Sequence, residues 1–129
     1  VTETDSILKE NNSYFLNNEK TKTILVYFDY DSFLLSSAGK EKLNNFITSS
    51  LKKNFYPIII YGHTDTKGSK DYNLILSKKR ALSVSKYFKE KGVNNRLIIK
   101  NYGETYPFIE TGDNISEEKN RRAEIIINN

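Results

Sequence analysis

Residues 58–84 read IIIYGHTDTKGSKDYNLILSKKRALSV, and their pattern changes partway along. The apolar run Tyr56–Tyr61 predicts a buried strand, and the glycines and polar residues of Gly62–Asp71 predict a loop. From Asp71 to Lys91 the apolar residues recur at helical spacing, which predicts a long helix. The inward face of this helix is expected to carry Leu74, Ser77, Ala81, Val84 and Phe88.

Similar apolar runs lie on both sides of this strand–loop–helix unit. They predict strands at Thr23–Asp29, Arg96–Tyr102 and Ala123–Ile127. An earlier helix is predicted from Ser36 or Ser37, either of which can cap it, to about Lys53, and a short turn or helix is predicted from Ser116. The order β-α-β-α-β-β predicts an α/β (α+β) two-layer sandwich, in which helical crossovers join largely apolar strands.

Length and composition are those of an ordinary globular domain. The chain has 129 residues, of which 28% are charged and 37% hydrophobic. Residues 1–22 are mostly polar and are predicted to form a linker or leader, which leaves residues 23–129 as the domain. The chain begins with Val1 rather than Met, so we expect it to be a fragment or a mature product.

Charge and residue usage exclude several classes of function. The net charge of +4 is small and acids are interspersed with bases, so no nucleic-acid partner is expected. The absence of Cys excludes disulfides and thiolate metal sites, and a single histidine, His63, is too little for a metal site. Neither a metal nor another cofactor is expected. Apolar runs of about four residues are too short to cross a bilayer, so a membrane is expected only through a region absent from this chain.

Two opposite charges at the strand–helix junction suggest a binding site. Asp65 lies where the strand ends, and Arg80 lies fifteen residues later on the helix. A carboxylate and a guanidinium that converge on one pocket can bind a ligand carrying both an ammonium and a carboxylate, and the planar guanidinium matches a carboxylate in two-point geometry. Taken singly, Asp65 could instead cap the loop, and Arg80 could be an exposed helix cation.

The same residues fall within a longer pattern of five segments over about Thr23 to Ile127. They are Tyr27-Phe28-Asp29-Tyr30-Asp31-Ser32; Gly62-His63-Thr64-Asp65 with Gly68; Asn73 with Leu76-Ser77, Arg80-Ala81 and Val84; Tyr102-Gly103-Glu104 with Pro107; and Asn120-Arg121-Arg122-Ala123-Glu124. With these segments, in family order and spacing, the chain resembles the OmpA-like peptidoglycan-binding domain of outer-membrane proteins, Pal-type lipoproteins and MotB-type stators.

The resemblance implies one mixed sheet with both helices on one face. It also implies non-covalent capture of the peptidoglycan stem peptide through diaminopimelate, by a periplasmic domain of an outer-membrane-anchored protein. In this interpretation Asp65 binds the ammonium and Arg80 the carboxylate, while Arg121 approaches the ligand and Arg122 forms structural pairs. Alanine at position 65 or 80 is expected to weaken binding without much loss of folding. A homodimer is possible, since stator-type relatives dimerise.

Three further positions are assigned to the ligand, two of them with a simpler alternative. Asn73 shares a helix face with Arg80 and would contact the peptide, although helix capping or loop bonding carries similar weight. Thr64 would contribute through its backbone. Asp31 matches a family position that rims the pocket, but an Asx turn explains it nearly as well.

Two other functions remain open. The chain could be a peptidoglycan-cleaving hydrolase, with Glu104 paired with Asp65 or Asp31 as acid and base, although no enzymatic activity is expected. It could also be a protein-interaction domain that has lost the ligand. A Ser-His-Asp triad of Ser69, His63 and Asp65 is disfavoured because these residues lie on one loop, so His63 is expected to hydrogen-bond the turn instead.

Overall fold

The computed structural model describes residues 21–128. The predicted leader at residues 1–22 therefore lies almost entirely outside the described residues. The elements are β1 (Thr21–Tyr27), α1 (Ser37–Ser50), β2 (Ile58–Gly62), α2 (Lys70–Glu90), β3 (Leu97–Asn101), a 3-10 helix (Glu118–Asn120) and β4 (Arg122–Asn128).

The four strands form one mixed sheet in the order β1-β4-β2-β3. β4 runs antiparallel to both β1 and β2, and β2 runs parallel to β3 with α2 as the crossover. This is the two-layer α/β sandwich that the order of predicted elements and the family resemblance indicated. The C-terminal strand thus lies in the middle of the sheet, and it brings residues 120–122 next to the loops that follow β1 and β2.

The main core lies between the sheet and the two helices. Alternate strand residues such as Val26, Ile60 and Ile125 point to the helices, where Phe46 of α1 and Phe88 of α2 cover them. The burial of these aliphatic and aromatic side chains is the chief source of stability for the sandwich. The intervening residues of β2 and β4 point to the opposite face, where Ile59, Tyr61 and Ile126 form a smaller cluster.

The inward face of α2 differs in part from the prediction. Ser77, Ala81, Val84 and Phe88 are buried as expected, but Leu74 is 45% exposed. Its expected place is taken by polar and charged residues, because Asn73 and Arg80 are buried on the same helix face as Ser77. The hydrophobic pattern alone therefore assigns the wrong residues to the inward face in the first turns of this helix.

Two glycines fix the path of the chain around α2. A Cβ at Gly62 would lie 1.9 Å from the carbonyl oxygen of Ser77, so β2 can approach α2 this closely only with glycine. Gly92 follows the helix with φ of +82°, a conformation that favours glycine. The close contact at Gly62 places the loop after β2 directly beside the inward side chains of α2.

Element boundaries shift slightly from their predicted positions. β1 begins at Thr21 rather than Thr23, and its first residues pair with the end of β4. Ser36 caps α1 by accepting a hydrogen bond from the Gly39 amide, and Ser69 caps α2 in the same way. Over residues 21–128, neither helix has the length and apolarity needed to cross a membrane.

Candidate functional site

Three loops meet at one end of the sheet. The first follows β1 (residues 28–36), the second follows β2 (residues 63–69), and the third precedes β4 (residues 102–121). Backbone hydrogen bonds join them: the Phe28 amide donates to the Arg121 carbonyl at 2.8 Å, and the Thr64 amide donates to the Gly103 carbonyl at 2.8 Å. Charged side chains from these loops and from α2 form what we term the cleft cluster, consisting of Asp65, Arg80 and Arg121.

Asp65 is the anion of the cleft cluster. It is 4% exposed. One carboxylate oxygen accepts from the Lys67 amide at 3.2 Å, and the other accepts from the Glu117 amide at 3.0 Å and from Arg121 Nη1 at 3.3 Å. These bonds satisfy a buried charge and tie the second loop to the third.

Arg80 is fully buried, with no exposed surface. Each of its three nitrogens donates to a backbone carbonyl: Nε to Ser32 at 2.8 Å, Nη1 to His63 at 3.0 Å and Nη2 to Asp29 at 3.1 Å. Burial lowers the pKa of its guanidinium from 12.5 to about 10, although the neighbouring Asp65 carboxylate opposes this shift. Arg80 therefore stays charged at neutral pH and holds the first loop against the second.

This environment corrects two parts of the sequence-based interpretation. Arg80 is neither an exposed helix cation nor an open clamp, because the loop of Asp29–Ser32 closes over its guanidinium. Its removal would leave three carbonyls without their donor, so Arg80→Ala is expected to destabilise the fold as well as to affect binding. Asp65→Ala would likewise leave Arg121 without its carboxylate partner.

Arg121 is the more accessible cation of the cluster, with 14% of its side chain exposed. Its Nε donates to the Phe28 carbonyl at 3.0 Å, and its Nη1 donates to Ser116 Oγ at 3.0 Å as well as to Asp65. Within residues 21–128, no acceptor is hydrogen-bonded to its remaining nitrogen, Nη2. Arg121 can therefore accept a further anionic partner without losing an existing bond.

A cavity of about 400 Å³ lies beside Arg121. This volume is within the range of small-ligand sites. Its walls combine an arginine and a lysine with acidic, hydroxyl and apolar side chains: Tyr27, Phe28, Asp29, Leu34, Ser36, Glu118, Lys119 and Arg121. Glu118 and Lys119 of this wall were not among the predicted site residues. They belong to a polar loop far from Asp65 in sequence, and nothing in that loop's sequence indicates that it lies beside the cavity.

The remaining predicted site residues lie around the same loops. Asn73 is buried, and its Nδ2 donates to the carbonyls of Asp65 and Lys67 and to Glu104 Oε1, which matches the loop-bonding alternative. Thr64 is buried too, and its hydroxyl has no hydrogen-bond partner in the described part of the chain. Its amide is already bonded to Gly103, as described above. Asp31 is exposed, has φ of +52°, and accepts a hydrogen bond from the Tyr72 hydroxyl.

A second group of buried charges lies on the sheet face opposite the helices. We term it the sealed cluster: His63, Arg122 and Glu124. Arg122 Nε donates to Glu124 Oε2 at 3.0 Å, Arg122 Nη2 forms an ion pair with that oxygen at 2.9 Å, and His63 Nε2 lies 3.8 Å from it. Arg122 thus forms the structural pair that the family resemblance implied.

His63 does not hydrogen-bond the turn as predicted. Neither ring nitrogen has a hydrogen-bond partner among residues 21–128, and the ring is fully buried beside Tyr102. Burial lowers the pKa of His63 well below 6.5, and the charge of Arg122 adds to this effect. The imidazole is therefore neutral at pH 7. In the described part of the chain, no three His, Cys, Asp or Glu side chains are grouped in a way that could hold a metal ion.

Comparison with known proteins agrees with this architecture. A model of the OmpA family matches residues 27–121. The peptidoglycan-associated lipoprotein of Buchnera aphidicola is 35% identical over 102 residues, which cover 78% of this chain and 59% of the relative. The chain spans about three-fifths of the length of the curated lipoproteins that it matches.

Two solved structures share the fold over most of their length. The OmpA-like domain of FopA1 from Francisella tularensis superposes with a TM-score of 0.72 at 25% identity, covering 85% of this chain and 75% of that one. The peptidoglycan-associated lipoprotein of Burkholderia pseudomallei superposes with a TM-score of 0.67 at 30% identity, covering 79% and 87%. The mixed sheet with two helices is thus the fold of OmpA-like domains.

Proposed function

This chain belongs to the OmpA family, and we propose that it binds peptidoglycan non-covalently through the diaminopimelate of the stem peptide. In this role it would tether an envelope protein to the cell wall from the periplasm. Relatives that are named peptidoglycan-associated lipoproteins support the proposal. The observation that carries it is the cleft cluster, in which one carboxylate and two guanidiniums meet and one of them, Arg121, lines a cavity of about 400 Å³.

The chemistry of the ligand matches this cluster. The distal carbon of diaminopimelate bears an ammonium and a carboxylate, so its head group is a zwitterion. In the ligand-free site Asp65 and Arg121 neutralise each other. A zwitterion can replace that pair with two new pairs, ammonium to Asp65 and carboxylate to Arg121, and leaves no buried charge uncompensated. A ligand with only one charge would leave either Asp65 or Arg121 unpaired.

Arg121 and Arg80 take different parts in this proposal. Arg121 can donate a hydrogen bond from its unbonded Nη2 to the carboxylate without breaking an existing bond. Arg80 reaches the ligand only if the Asp29–Ser32 loop releases one of its carbonyls. A carboxylate is a stronger acceptor than a backbone carbonyl, so the exchange replaces a neutral hydrogen bond with a charge-assisted one. Asn73 and Thr64 shape the second loop around Asp65, and Asp31 lies on its rim.

The proposal is tested by calorimetric titration with two disaccharide–tetrapeptides that differ only at the third residue of the peptide. One carries diaminopimelate and the other lysine, which lacks the distal carboxylate. The loss of a charge-assisted contact corresponds to about 1.5–3 kcal/mol, so we expect the diaminopimelate form to bind at least about tenfold more tightly. Equal affinities would contradict the proposed contact with Arg121 and Arg80.

Incubation with purified sacculi separates this function from the two alternatives. A binding module sediments with the sacculi and releases no soluble muropeptides. Released muropeptides would favour a hydrolase, whereas failure to sediment at low salt would favour a protein-interaction domain that has lost the ligand.

A further inference from the structure

The surface of the helical layer carries more positive charge than the whole molecule. Residues 36–53 and 69–91, which contain both helices and their ends, hold eleven Lys or Arg and three acidic residues. The whole chain has a net charge of +4. The remaining residues together are therefore net negative, and even without the buried Arg80 the helices and their ends hold ten basic residues against three acidic ones. Such an asymmetric field attracts an acidic partner to the helical layer.

A groove between the two helices lies within this basic surface. Its volume is about 660 Å³, and apolar side chains line its base. Of these, Phe33 is 39% exposed, Leu34 is 74% exposed and Leu82 is 45% exposed. Exposed apolar side chains that are grouped in a concave surface mark an interaction site more often than the same residues scattered singly.

Lysines from both helices surround these apolar residues. Lys40 belongs to α1, and Lys79 and Lys86 lie seven residues apart, hence on one face of α2. Glu90 is the one acid among the lining residues. The Lys79 ammonium lies 5.4 Å from the centre of the Phe33 ring, so a lysine and an apolar side chain of the groove are in direct contact.

The groove is held open by bonds within the protein. Ser83 Oγ donates to the Phe33 carbonyl, and Arg80 Nε donates to the Ser32 carbonyl, so α2 fixes the loop that forms one wall. At the other end the Tyr87 hydroxyl donates to Asn44 Oδ1 of α1 at 2.8 Å. A groove with fixed walls loses little conformational freedom when it binds a partner.

We propose that this groove binds an acidic amphipathic helix of a partner protein. Apolar side chains on one face of such a helix, spaced by three and four residues, would contact Phe33, Leu34 and Leu82. Glutamates or aspartates on both sides of that face would pair with Lys40, Lys79 and Lys86. A flat anionic membrane would leave the concave apolar base unfilled. The groove adjoins the cleft cluster, because Leu34 also lines the cavity beside Arg121 and Arg80 is bonded to the loop that precedes Leu34.

The test uses the full chain and a fluorescein-labelled 18-residue helical peptide. The peptide carries leucines on one face and glutamates along both sides of it, and a scrambled peptide of the same composition is the control. Fluorescence anisotropy should show that the patterned peptide binds at least about tenfold more tightly than the scrambled one. Binding should weaken at least about threefold between 50 and 300 mM NaCl, because exposed charges are screened. Equal binding of the two peptides would overturn the proposal.

Charge reversal locates the binding surface. K79E/K86E should weaken binding at least about tenfold, whereas K22E/K100E, which makes the same change of charge on exposed strand residues, should change it less than about threefold. L82S should weaken binding about threefold or more without altering its salt dependence. Similar affinity in K79E/K86E and K22E/K100E would show that only net charge matters and would overturn the groove assignment.

Two further outcomes would identify a different occupant. Sedimentation with phosphatidylglycerol–phosphatidylethanolamine vesicles that depends on Lys79 and Lys86, without peptide binding, would assign the surface to a membrane. The first 20 residues of this chain contain four acids: Glu3, Asp5, Glu10 and Glu19. If their replacement by the corresponding amides strengthens peptide binding about tenfold in the full chain, this segment competes for the groove. Either result would overturn a partner helix as the occupant.

Discussion

The cleft cluster and the sealed cluster share two short stretches of chain, to which the cleft cluster adds Arg80 of α2. His63 and Asp65 come from the loop after β2, and Arg121 and Arg122 are adjacent at the start of β4. Neighbouring residues of an extended chain point to opposite sides, so Arg121 lines the cavity whereas Arg122 lies on the far side of the sheet. His63 and Asp65, two residues apart, lie in different clusters because the chain has left the regular strand after Gly62. Two sites with similar residues are thus separated by the sheet itself.

The two clusters differ in how completely their arginines are bonded. Arg122 uses all three nitrogens, with Glu124, Tyr106 and Asn120 as acceptors, and Phe108 packs against its guanidinium. Arg121 keeps Nη2 without a hydrogen bond and lines a cavity. A buried ion pair with every donor satisfied stabilises one conformation, whereas an incompletely bonded pair beside a cavity can exchange partners. The comparison therefore identifies a structural pair and a binding pair.

Gly62→Ala should disrupt both the cleft cluster and the sealed cluster, and so remove the difference between them. The added Cβ would lie 1.9 Å from the Ser77 carbonyl oxygen, so β2 and α2 would have to separate. We expect a loss of more than about 4 kcal/mol of unfolding free energy, or no soluble protein. Gly112→Ala is the matched control, because its Cβ would meet no atom within 4 Å. Urea denaturation of both variants measures the difference, and a fully stable G62A would contradict the close contact.

Arg80→Met should separate structural from binding roles within the cleft cluster. Methionine keeps the apolar stem but removes the Arg80 donor from the carbonyls of Ser32 and His63, and one of two donors from the Asp29 carbonyl, which also accepts from the Ser32 amide. We expect a loss of about 3 kcal/mol of unfolding free energy. Arg121→Met, which removes a partly exposed side chain, should cost about 1 kcal/mol. Equal losses of unfolding free energy, measured by urea denaturation, would show that the two arginines contribute equally to stability.

Arg121→Ala and Arg122→Ala should have opposite effects on binding and stability. Without Arg121, affinity for the diaminopimelate peptide should fall about tenfold or more, because the accessible cation is lost. Without Arg122, the affinity of the folded protein should change less than about threefold, although the unpaired Glu124 should lower its stability. Calorimetry at a temperature where both variants are folded makes the comparison. Loss of affinity in R122A alone would reverse the assignment.

The sealed cluster should give the protein a pH-dependent stability through His63. Its pKa is lowered in the folded state, so between that pKa and 6.5 the unfolded chain binds more protons than the folded one. The free energy of unfolding should therefore fall below pH 6.5, by up to about 1.4 kcal/mol at one unit below, and stay level above it. Urea denaturation from pH 5 to 8 measures this. The unfolding free energy of His63→Gln should not show this decrease below pH 6.5. If its pH dependence equals that of the unmodified protein, the decrease comes from other titrating groups.

The strands and helices could be predicted because their apolar residues report burial directly. Ile58, Ile59 and Ile60 are all buried, as their uninterrupted run indicated. Thr21 and Lys22 were left out of β1 because they join the sheet through backbone pairing with β4, which side-chain polarity does not reveal. Leu74 was misplaced because Asn73 and Arg80, rather than apolar residues, face inward at that end of α2.

The proximity of three predicted residues could be foreseen, but their bonding could not. Asp65, Arg80 and Arg121 were named from the family pattern, and they meet around the same loops. Their partners are mostly backbone carbonyls of distant loops, such as Asp29 and Phe28, and any residue type offers such an acceptor. The burial of Arg80 therefore left no distinctive signal in the residues that surround it.

The position of β1 has a mechanical consequence. Its amino end, Thr21, lies opposite Asn128, while its carboxyl end, Tyr27, lies opposite Arg122, which directly follows Arg121 of the cleft cluster. A pull on Thr21 that is resisted at the cleft would run lengthwise along the strand. The seven paired positions with β4 would then be loaded in shear, all together, and would not be peeled apart one by one.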